Sequence, residues 1–355
     1  MKRIAIKIGS NVLTRCDGML HVERIADLVA QIAALHKKGL DIVMISSGAV
    51  AAGRGIVKPL KKLDTVSSRQ LYSAAGQAQL INHYFELFRA HGLVCGQVLT
   101  TRENFSSRTH YLNQKHCMDV MLENGVIPVV NENDTVSVTE LMFTDNDELS
   151  GLVATMMGMD VLIILSNVDG IYDGDPSLAE SKVIREVAGK MDVSLFIQSG
   201  KSLFGRGGMI TKYKIARQVA GEGIRVIIAN GTKSNILIDL VDGKPVPCTR
   251  FLPAEKTVSS VKKWVAHSGG FAKGEVCIDE GAEKALFEAK ATSILFVGIT
   301  GINGSFKKND LVKIINHAGE PLGVGRAAYD SEKAVLLVGK RNARPMIHYD
   351  YLYLD

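Results

Sequence analysis

The run IAIKIGSN, residues 4–11, joins an apolar stretch typical of a buried β-strand to a glycine turn. Lys7 interrupts the apolar residues just before that turn. An unpaired ammonium group in a buried strand would cost several kcal/mol, and open α/β sheets bind ligands at the carboxyl ends of their strands. We therefore expect Lys7 to face an anion at the strand end. The alternative is an ordinary strand-end lysine whose charged tip reaches solvent.

Short apolar runs alternate with helical patterns over the front two-thirds of the chain. Beyond the first strand, apolar runs predict strands at residues 42–45, 94–99, 126–130, 161–165 and 226–229. Helical periodicity is found at residues 22–35, 69–88, 112–124, 149–157 and 211–221. The alternation predicts an α/β fold with a mainly parallel sheet sandwiched by helices.

The pattern changes after the KPVP run at residues 244–247. Beyond it, short apolar runs separated by glycine-rich turns predict a small β-rich barrel with one helix near residues 282–289. We therefore divide the chain into a first domain at residues 1–245, a linker at residues 246–260 and a second domain at residues 261–355.

The composition indicates a globular protein in a reducing compartment. A length of 355 residues with 46% hydrophobic residues allows two hydrophobic cores. The five cysteines form no C-x-x-C pair, which disfavours a disulfide framework or a zinc site. No apolar run reaches the roughly 18 residues of a membrane span, and no signal-peptide core is seen, so we expect a cytoplasmic protein without a membrane partner. The net charge of +5 is too small to indicate nucleic acid.

Common nucleotide-binding and catalytic motifs are absent from the sequence. The P-loop pattern G-x-x-x-x-G-K-[ST] does not occur, because the GKS at residues 200–202 has Leu195 where the first glycine would stand. The H-E-x-x-H, G-x-S-x-G and H-R-D motifs of metalloproteases, hydrolases and protein kinases are missing too. A nucleotide would therefore need a phosphate site of another kind.

Small or polar residues follow the predicted strands or begin the predicted helices. They are SSGA at residues 46–49, NEND at 131–134, TDND at 144–147, SNVDG at 166–170 and GRGGMITK at 205–212. Backbone N–H groups of such turns can bind phosphates, and their carboxylates and amides can bind an ammonium group. Each motif alone is equally compatible with an ordinary capped turn. Together they would lie at one edge of one sheet, which indicates a ligand site.

In order along the chain, six of these runs resemble the motifs of the amino acid kinase superfamily. They are KIGSNVLT (7–14), ISSGAVAAG (45–53), VVNENDTV (129–136), TDNDELS (144–150), LSNVDGIY (165–172) and GGMITK (207–212). The resemblance is closest to the members that phosphorylate glutamate and covers nearly the whole chain, and the C-terminal segment resembles a PUA domain. It implies transfer of the γ-phosphoryl group of ATP to the γ-carboxylate of L-glutamate, giving L-glutamyl 5-phosphate in the first step of proline biosynthesis.

The resemblance also implies roles for single residues. Lys7 and Lys212 would neutralise the transferring phosphoryl group, and Asp147 would orient them. Glutamate would be bound by Ser47, Asp134 and Asn146. ATP, with Mg²⁺, would be bound by Lys7, Ser166, Asn167, Arg206, Gly207, Gly208, Met209, Ile210, Thr211 and Lys212. Many relatives have Thr-Asp where this chain has Ser166-Asn167, and no residue is assigned as a direct metal ligand.

The resemblance further implies inhibition by L-proline, assembly into a homo-oligomer (a dimer or a tetramer) and a downstream glutamyl phosphate reductase.

Two alternative functions stay open. A sibling kinase would act on N-acetylglutamate, aspartate, carbamate or UMP, but the carboxylate of Asp134 suits a free α-ammonium group and would repel UMP. An RNA-binding or RNA-modifying protein is suggested by the PUA-like tail, although the front domain lacks a basic patch with interleaved aromatic residues.

Overall fold

The computed structural model describes residues 2–106, 108–137, 143, 145–176, 178, 180–189, 191–197, 208–255, 272–288 and 292–354. The chain divides into two compact units, one comprising Met1–Arg102 with Leu112–Thr257 and the other Glu103–Tyr111 with Val258–Asp355.

Strands and helices alternate in the described residues up to 255. The strands are β1 (Arg3–Ile8), β2 (Asp41–Ser46), β3 (Val94–Thr100), β4 (Val126–Glu132), β5 (Val161–Ser166), β6 (Glu186–Val187), β7 (Arg225–Asn230) and β8 (Cys248–Phe251). The helices are α1 (Ser10–Leu13), α2 (Val22–Lys37), α3 (Ala49–Ile56), α4 (Thr65–Ala90), α5 (Arg102–Ser106), α6 (Arg108–Glu123), α7 (Asn146–Met157), α8 (Met209–Gly221) and α9 (Ile236–Val241).

The eight strands form one sheet in the order β3-β4-β2-β1-β5-β7-β8-β6. Neighbouring strands are parallel except for β7 and β8, which pair antiparallel. The mainly parallel α/β sheet predicted from the sequence is therefore confirmed. Because β1 lies in the middle, beside β2 and β5, its carboxyl end is surrounded by the turns that follow both neighbours.

Strand β1 is buried on both faces, as its continuous apolar run predicts. Ile4, Ile6 and Ile8 are fully buried in a core that includes Leu28 and Ile32 of α2. Lys7 is also buried, with 4% of the residue exposed. The alternative interpretation, a strand-end lysine whose charged tip reaches solvent, therefore does not apply to Lys7.

Part of the stretch that we predicted as a linker is a strand of the first sheet. Residues 248–251 form β8, with Cys248 and Phe251 buried against the sheet. A strand of four residues is too short to show a period, so only its pairing with β7 reveals it. The segment Glu103–Tyr111, part of the predicted first domain, groups with the second unit. The exact domain bounds otherwise stay a prediction.

The second unit contains a small sheet with its own core. Its strands are β9 (Gly274–Ile278), β10 (Ile299–Gly304), β11 (Leu311–Ile315), β12 (Pro321–Arg326) and β13 (Leu352–Leu354), in the order β10-β9-β11-β12-β13. Helices α10 (Glu280–Glu288) and α11 (Ser331–Val335) accompany it. Phe296, Val312, Ile314 and Met346 are fully buried in its core. The β-rich character and the helix near residue 282 agree with the prediction.

None of the helices in the described part of the chain combines the length and the apolar character of a transmembrane helix.

Helices α3 and α4 pack backbone against backbone at two glycines. A Cβ atom added to Gly53 of α3 would lie 1.9 Å from the carbonyl oxygen of Tyr72 in α4. A Cβ atom added to Gly76 of α4 would lie 1.9 Å from the carbonyl oxygen of Ala49 and 2.2 Å from the backbone nitrogen of Gly53. Both obstacles are backbone atoms, so no side-chain movement can relieve them. The two glycines therefore set the position of α4 on α3.

We expect Gly76→Ala to lower the free energy of unfolding by about 1–3 kcal/mol, because the two helices must move apart to admit the methyl group. Gly221→Ala is the matched control. Gly221 is the last residue of α8 and has no atom within 4 Å of its added Cβ, so alanine there should leave stability unchanged or raise it slightly. Urea denaturation followed by circular dichroism measures both variants. Equal stability of Gly76→Ala and the wild type would show that the helices do not touch at this point.

Candidate active site

A cavity of about 970 Å³ lies at the carboxyl ends of the central strands. The end of β1 contributes Lys7, and the turn after β2 contributes Ser47. The last residue of β5 is Ser166, which lines the cavity together with Asn167 of the following turn. This is the edge at which parallel α/β sheets bind ligands. Described residues from each of the predicted motifs therefore meet here, although they are spread over more than 200 positions of the sequence.

The centre of the cavity is a carboxylate held between two lysines. Lys7 Nζ lies 2.5 Å from Asp147 Oδ1, and Lys212 Nζ lies 2.8 Å from Asp147 Oδ2. The Asp147 side chain is 1% exposed, that of Lys7 is 5% exposed and that of Lys212 is 12% exposed. Asp147 stands in the first turn of α7, where the helix dipole favours a negative charge, and Lys212 stands in the first turn of α8. The structure thus joins the three residues predicted to be catalytic.

The buried charged groups of Lys7 and Asp147 shift each other's pKa values. Burial lowers the pKa of Lys7 below its ordinary value, and Asp147 opposes this shift. Burial alone would raise the pKa of Asp147, but Lys7 and Lys212 together hold it below its ordinary value. The carboxylate is therefore charged at neutral pH and keeps the two ammonium groups side by side despite their repulsion.

A second carboxylate, Asp145, was not among our predicted site residues. Its Oδ1 caps helix α7 by accepting hydrogen bonds from the backbone N–H groups of Asp147 and Glu148, both within 3.0 Å. Its Oδ2 is buried and has no hydrogen-bond partner among the described residues. Burial and the negative charge of Asp147 raise the pKa of Asp145. The aspartate before a helical run is an N-cap signal in the sequence, but its place in the cavity wall is not.

Ser47 and Asn146, both predicted to bind substrate, are linked by hydrogen bonds. Asn146 Nδ2 donates to Ser47 Oγ at 3.1 Å, to the carbonyl oxygen of Ser46 at 3.0 Å and to Asn131 Oδ1 at 3.0 Å. The turn that carries Ser47 continues into Gly48, whose φ of 107° is accessible mainly to glycine, and then into α3. Neutral amides and hydroxyls therefore line this part of the cavity.

Asp134, the third predicted substrate residue, pairs with an arginine that we did not predict. Arg69, near the start of α4, donates to Asp134 Oδ1 and to Glu132 Oε2, the latter at 2.8 Å. Glu132 Oε1 accepts from the backbone N–H of Phe143 at 2.9 Å. Arg69 was missed because it lies more than 60 positions before its partners, within a pattern that only indicates a helix. All three side chains line the cavity.

The predicted nucleotide residues are only partly described. Ser166 and Asn167 line the cavity together with Gly208, Met209 and Lys212. Arg206 and Gly207 lie outside the described residues. Of the described first turn of α8, Ile210 and Thr211 do not line the cavity. The nucleotide contacts stay predictions.

Comparison with known proteins finds the same two families that the sequence motifs resemble, one in each part of the chain. Residues 2–230 match the amino acid kinase family, and residues 274–349 match the PUA domain. The chain is 62% identical to the glutamate 5-kinase of Bacteroides thetaiotaomicron over 99% of this chain and 98% of the relative. It is 46% identical to the glutamate 5-kinase of Chlorobaculum tepidum over 99% and 97%, and 38% identical to that of Maridesulfovibrio salexigens over 100% and 96%.

We expect Asp147→Asn to lower the free energy of unfolding at pH 7 by about 3 kcal/mol or more, because it removes the carboxylate that pairs directly with the buried Lys7 and the largely buried Lys212. The folded-state pKa of Asp147 lies below its unfolded value. Its stabilisation is therefore complete above the unfolded value of about 3.9 and is lost as the pH falls through the folded value. The difference between wild type and variant should accordingly narrow below about pH 4.

Urea denaturation at pH 7, 5 and 3.5 measures this difference. The control is Asp242→Asn, which removes a surface ion pair of 2.9 Å with Lys38 and should change stability little at any of these pH values. A difference for Asp147→Asn that is constant with pH would show that the charge of Asp147 does not stabilise the fold.

Proposed function

The chain belongs to the amino acid kinase family, among the glutamate 5-kinases, and on that premise we propose how its residues carry out the reaction. The enzyme transfers the γ-phosphoryl group of ATP to the γ-carboxylate of L-glutamate and forms L-glutamyl 5-phosphate, the first step of proline biosynthesis. The observation that carries the proposal for the site is the pair of buried lysines held on Asp147 in the cavity.

The chemistry requires that one anion attack another. The γ-carboxylate has an ordinary pKa of about 4.3, so it is ionised near pH 7 and needs no general base. The obstacle is its repulsion from the phosphoryl group. Lys7 and Lys212 supply positive charge at one point, and Asp147 keeps both ammonium groups in place before substrate binds. Catalysis is then in-line positioning with stabilisation of the charge that develops on the transferring group.

The amino-acid end of glutamate is proposed to lie at the cluster of Asp134, Arg69 and Glu132. A free amino acid carries an ammonium and a carboxylate on the same carbon, and this wall of the cavity offers a carboxylate beside a guanidinium. Asp134 suits the ammonium group, with Ser47 and Asn146 as neutral neighbours. L-proline presents the same two charges, so we propose that it competes for this place. A homo-oligomer and a downstream reductase stay predictions.

ATP is proposed to bind along Ser166, Asn167 and the start of α8, with its γ-phosphoryl group directed to the lysines. Mg²⁺ is usually bound by one or two carboxylates together with substrate phosphates. Asp145 fits that use, because its Oδ2 is buried, lacks a partner among the described residues and belongs to a cavity-lining side chain. When bound, the ion would neutralise phosphate charge.

An assay of ADP release with different acceptors identifies the substrate directly. We expect turnover with glutamate and little or none with N-acetylglutamate, aspartate or UMP assayed side by side, because Asp134 suits a free ammonium group and the relatives of the chain are glutamate 5-kinases. Asp134→Asn should raise KM for glutamate by about tenfold or more, since it removes a charged partner, and should leave KM for ATP nearly unchanged. Faster turnover with N-acetylglutamate or UMP would contradict the proposed substrate.

Lys7→Ala and Lys212→Ala should each lower kcat by at least about 10²-fold with the fold intact, because both groups act mainly in the transition state. Lys244→Ala is the matched control. Lys244 also pairs with an aspartate, Asp239, at 2.7 Å, but it is largely exposed and lies outside the cavity. Steady-state kinetics and circular dichroism measure the three variants. Near-normal kcat in either cavity variant would remove that lysine from the mechanism.

A further inference from the structure

Helix α4 directs two polar side chains, Gln77 and Tyr84, at the residues behind the substrate cavity. They are seven positions apart, which is two turns of the helix, so they stand on one face. Neither lines the cavity itself. Each ends a chain of hydrogen bonds that leads to Asn146, one through Asn131 and the other through the Ser46–Ser47 turn.

The first chain has a fixed direction. Asn131 Oδ1 accepts the backbone N–H of Glu132 at 2.9 Å. A backbone N–H can only donate, so the atom facing it must be the amide oxygen, and the NH₂ group must face the other way. There Asn131 Nδ2 donates to Gln77 Oε1 at 2.9 Å. Gln77 therefore accepts the hydrogen bond that holds the Asn131 amide in this orientation.

Asn131 and the Ser46 carbonyl group together set the orientation of Asn146. Two of the three atoms around Asn146 Nδ2, Asn131 Oδ1 and the carbonyl oxygen of Ser46, are acceptors only. The atom facing them must be the nitrogen. Asn146 Oδ1 then points away from this wall and accepts no hydrogen bond from any described residue. Since Asn146 lines the cavity, this oxygen is available to a donor bound there.

The second chain holds the turn that supplies one of these acceptors. Ser46 Oγ donates its single proton to the carbonyl oxygen of Ser47 at 2.9 Å, so in its 2.7 Å contact with Tyr84 the tyrosine hydroxyl donates. Tyr84 is fully buried, and burial raises the pKa of its hydroxyl, which therefore stays protonated at physiological pH. The proton keeps Ser46 and Ser47 in the position in which they accept from Asn146.

We propose that Gln77 and Tyr84 are positioning residues for amino-acid specificity: they hold the Asn146 amide so that oxygen, and not NH₂, meets the ammonium group of the substrate. The inference rests on glutamate being the substrate. A rotated amide would place N–H donors against a cation, which weakens binding of the ammonium group and leaves the carboxylates of the substrate unaffected. The two residues therefore act on one functional group of the ligand without touching it.

Gln77→Met tests the proposal, because methionine keeps the length of the side chain and removes the strong acceptor. The assay compares KM for glutamate with the inhibition constant of glutarate, which has the same carboxylates and no ammonium group. We expect KM for glutamate to rise about tenfold, the cost of a hydrogen bond to a charged group, while kcat, KM for ATP and the glutarate constant change less than about twofold.

Three further variants complete the test. Gln77→Glu keeps an acceptor and should restore KM to near the wild-type value. Gln79→Met is the control on the same helix, since Gln79 Oε1 is buried without a partner among the described residues and belongs to neither chain. Tyr84→Phe, which removes one hydroxyl, should weaken glutamate about three- to tenfold and glutarate much less.

The outcomes separate this inference from the proposed function. A wild-type enzyme that does not phosphorylate glutamate would overturn the function itself. A wild-type enzyme that does, with Gln77→Met and Tyr84→Phe weakening glutamate and glutarate equally or not at all, would overturn only the positioning role. The positioning role would also be overturned if Gln77→Glu did not restore KM for glutamate to near the wild-type value.

Discussion

Two lysines that share one buried carboxylate are the constraint on which the rest of this structure depends. Lys7 comes from the middle strand of the sheet, Asp147 from the start of α7 and Lys212 from the start of α8. Two neighbouring ammonium groups repel each other, and burial adds a desolvation penalty for Lys7, so the negative charge of Asp147 is needed to offset both effects. Elements distant in sequence must therefore meet at one point. A sheet with β1 at its centre and helices starting at the strand ends satisfies this requirement.

In the proposed function, the cavity recognises its ligands in two ways around this centre. The ammonium groups of Lys7 and Lys212, not fully balanced by Asp147, would meet phosphate, where charge develops during the reaction. The amino-acid end would be met by groups whose charges are compensated locally, since Arg69 pairs with both Glu132 and Asp134, and by amides oriented through neutral hydrogen bonds. Because Arg69 balances their charge, Glu132 and Asp134 attract the ammonium groups of Lys7 and Lys212 less strongly. One cavity of about 970 Å³ can therefore contain both the carboxylates proposed to select the substrate and the lysines proposed to stabilise the transition state, without the carboxylates cancelling the charge of the lysines.

The sequence predicts those parts of the molecule that leave a local pattern. The apolar runs of β1, β2, β4 and β5 and the lysine inside the first of them are enough to predict a parallel sheet with a ligand at its edge, and the structure confirms the sheet. What escapes prediction depends on distant partners. Strand β8 is four residues long and is defined by its pairing with β7. Arg69 and Gln77 belong to an ordinary helical pattern, and only the fold brings them to Asp134 and Asn131.

The contact between α3 and α4 determines which parts of this cavity can evolve. With backbone against backbone at Gly53 and Gly76, helix α4 has little room to shift toward α3, and this constrains the positions of the side chains that it presents. New specificity cannot then arise by moving the helix. It has to arise by exchanging side chains on a stationary scaffold, and laboratory libraries that seek another acceptor should keep both glycines constant while varying the positions around Arg69 and Asp134.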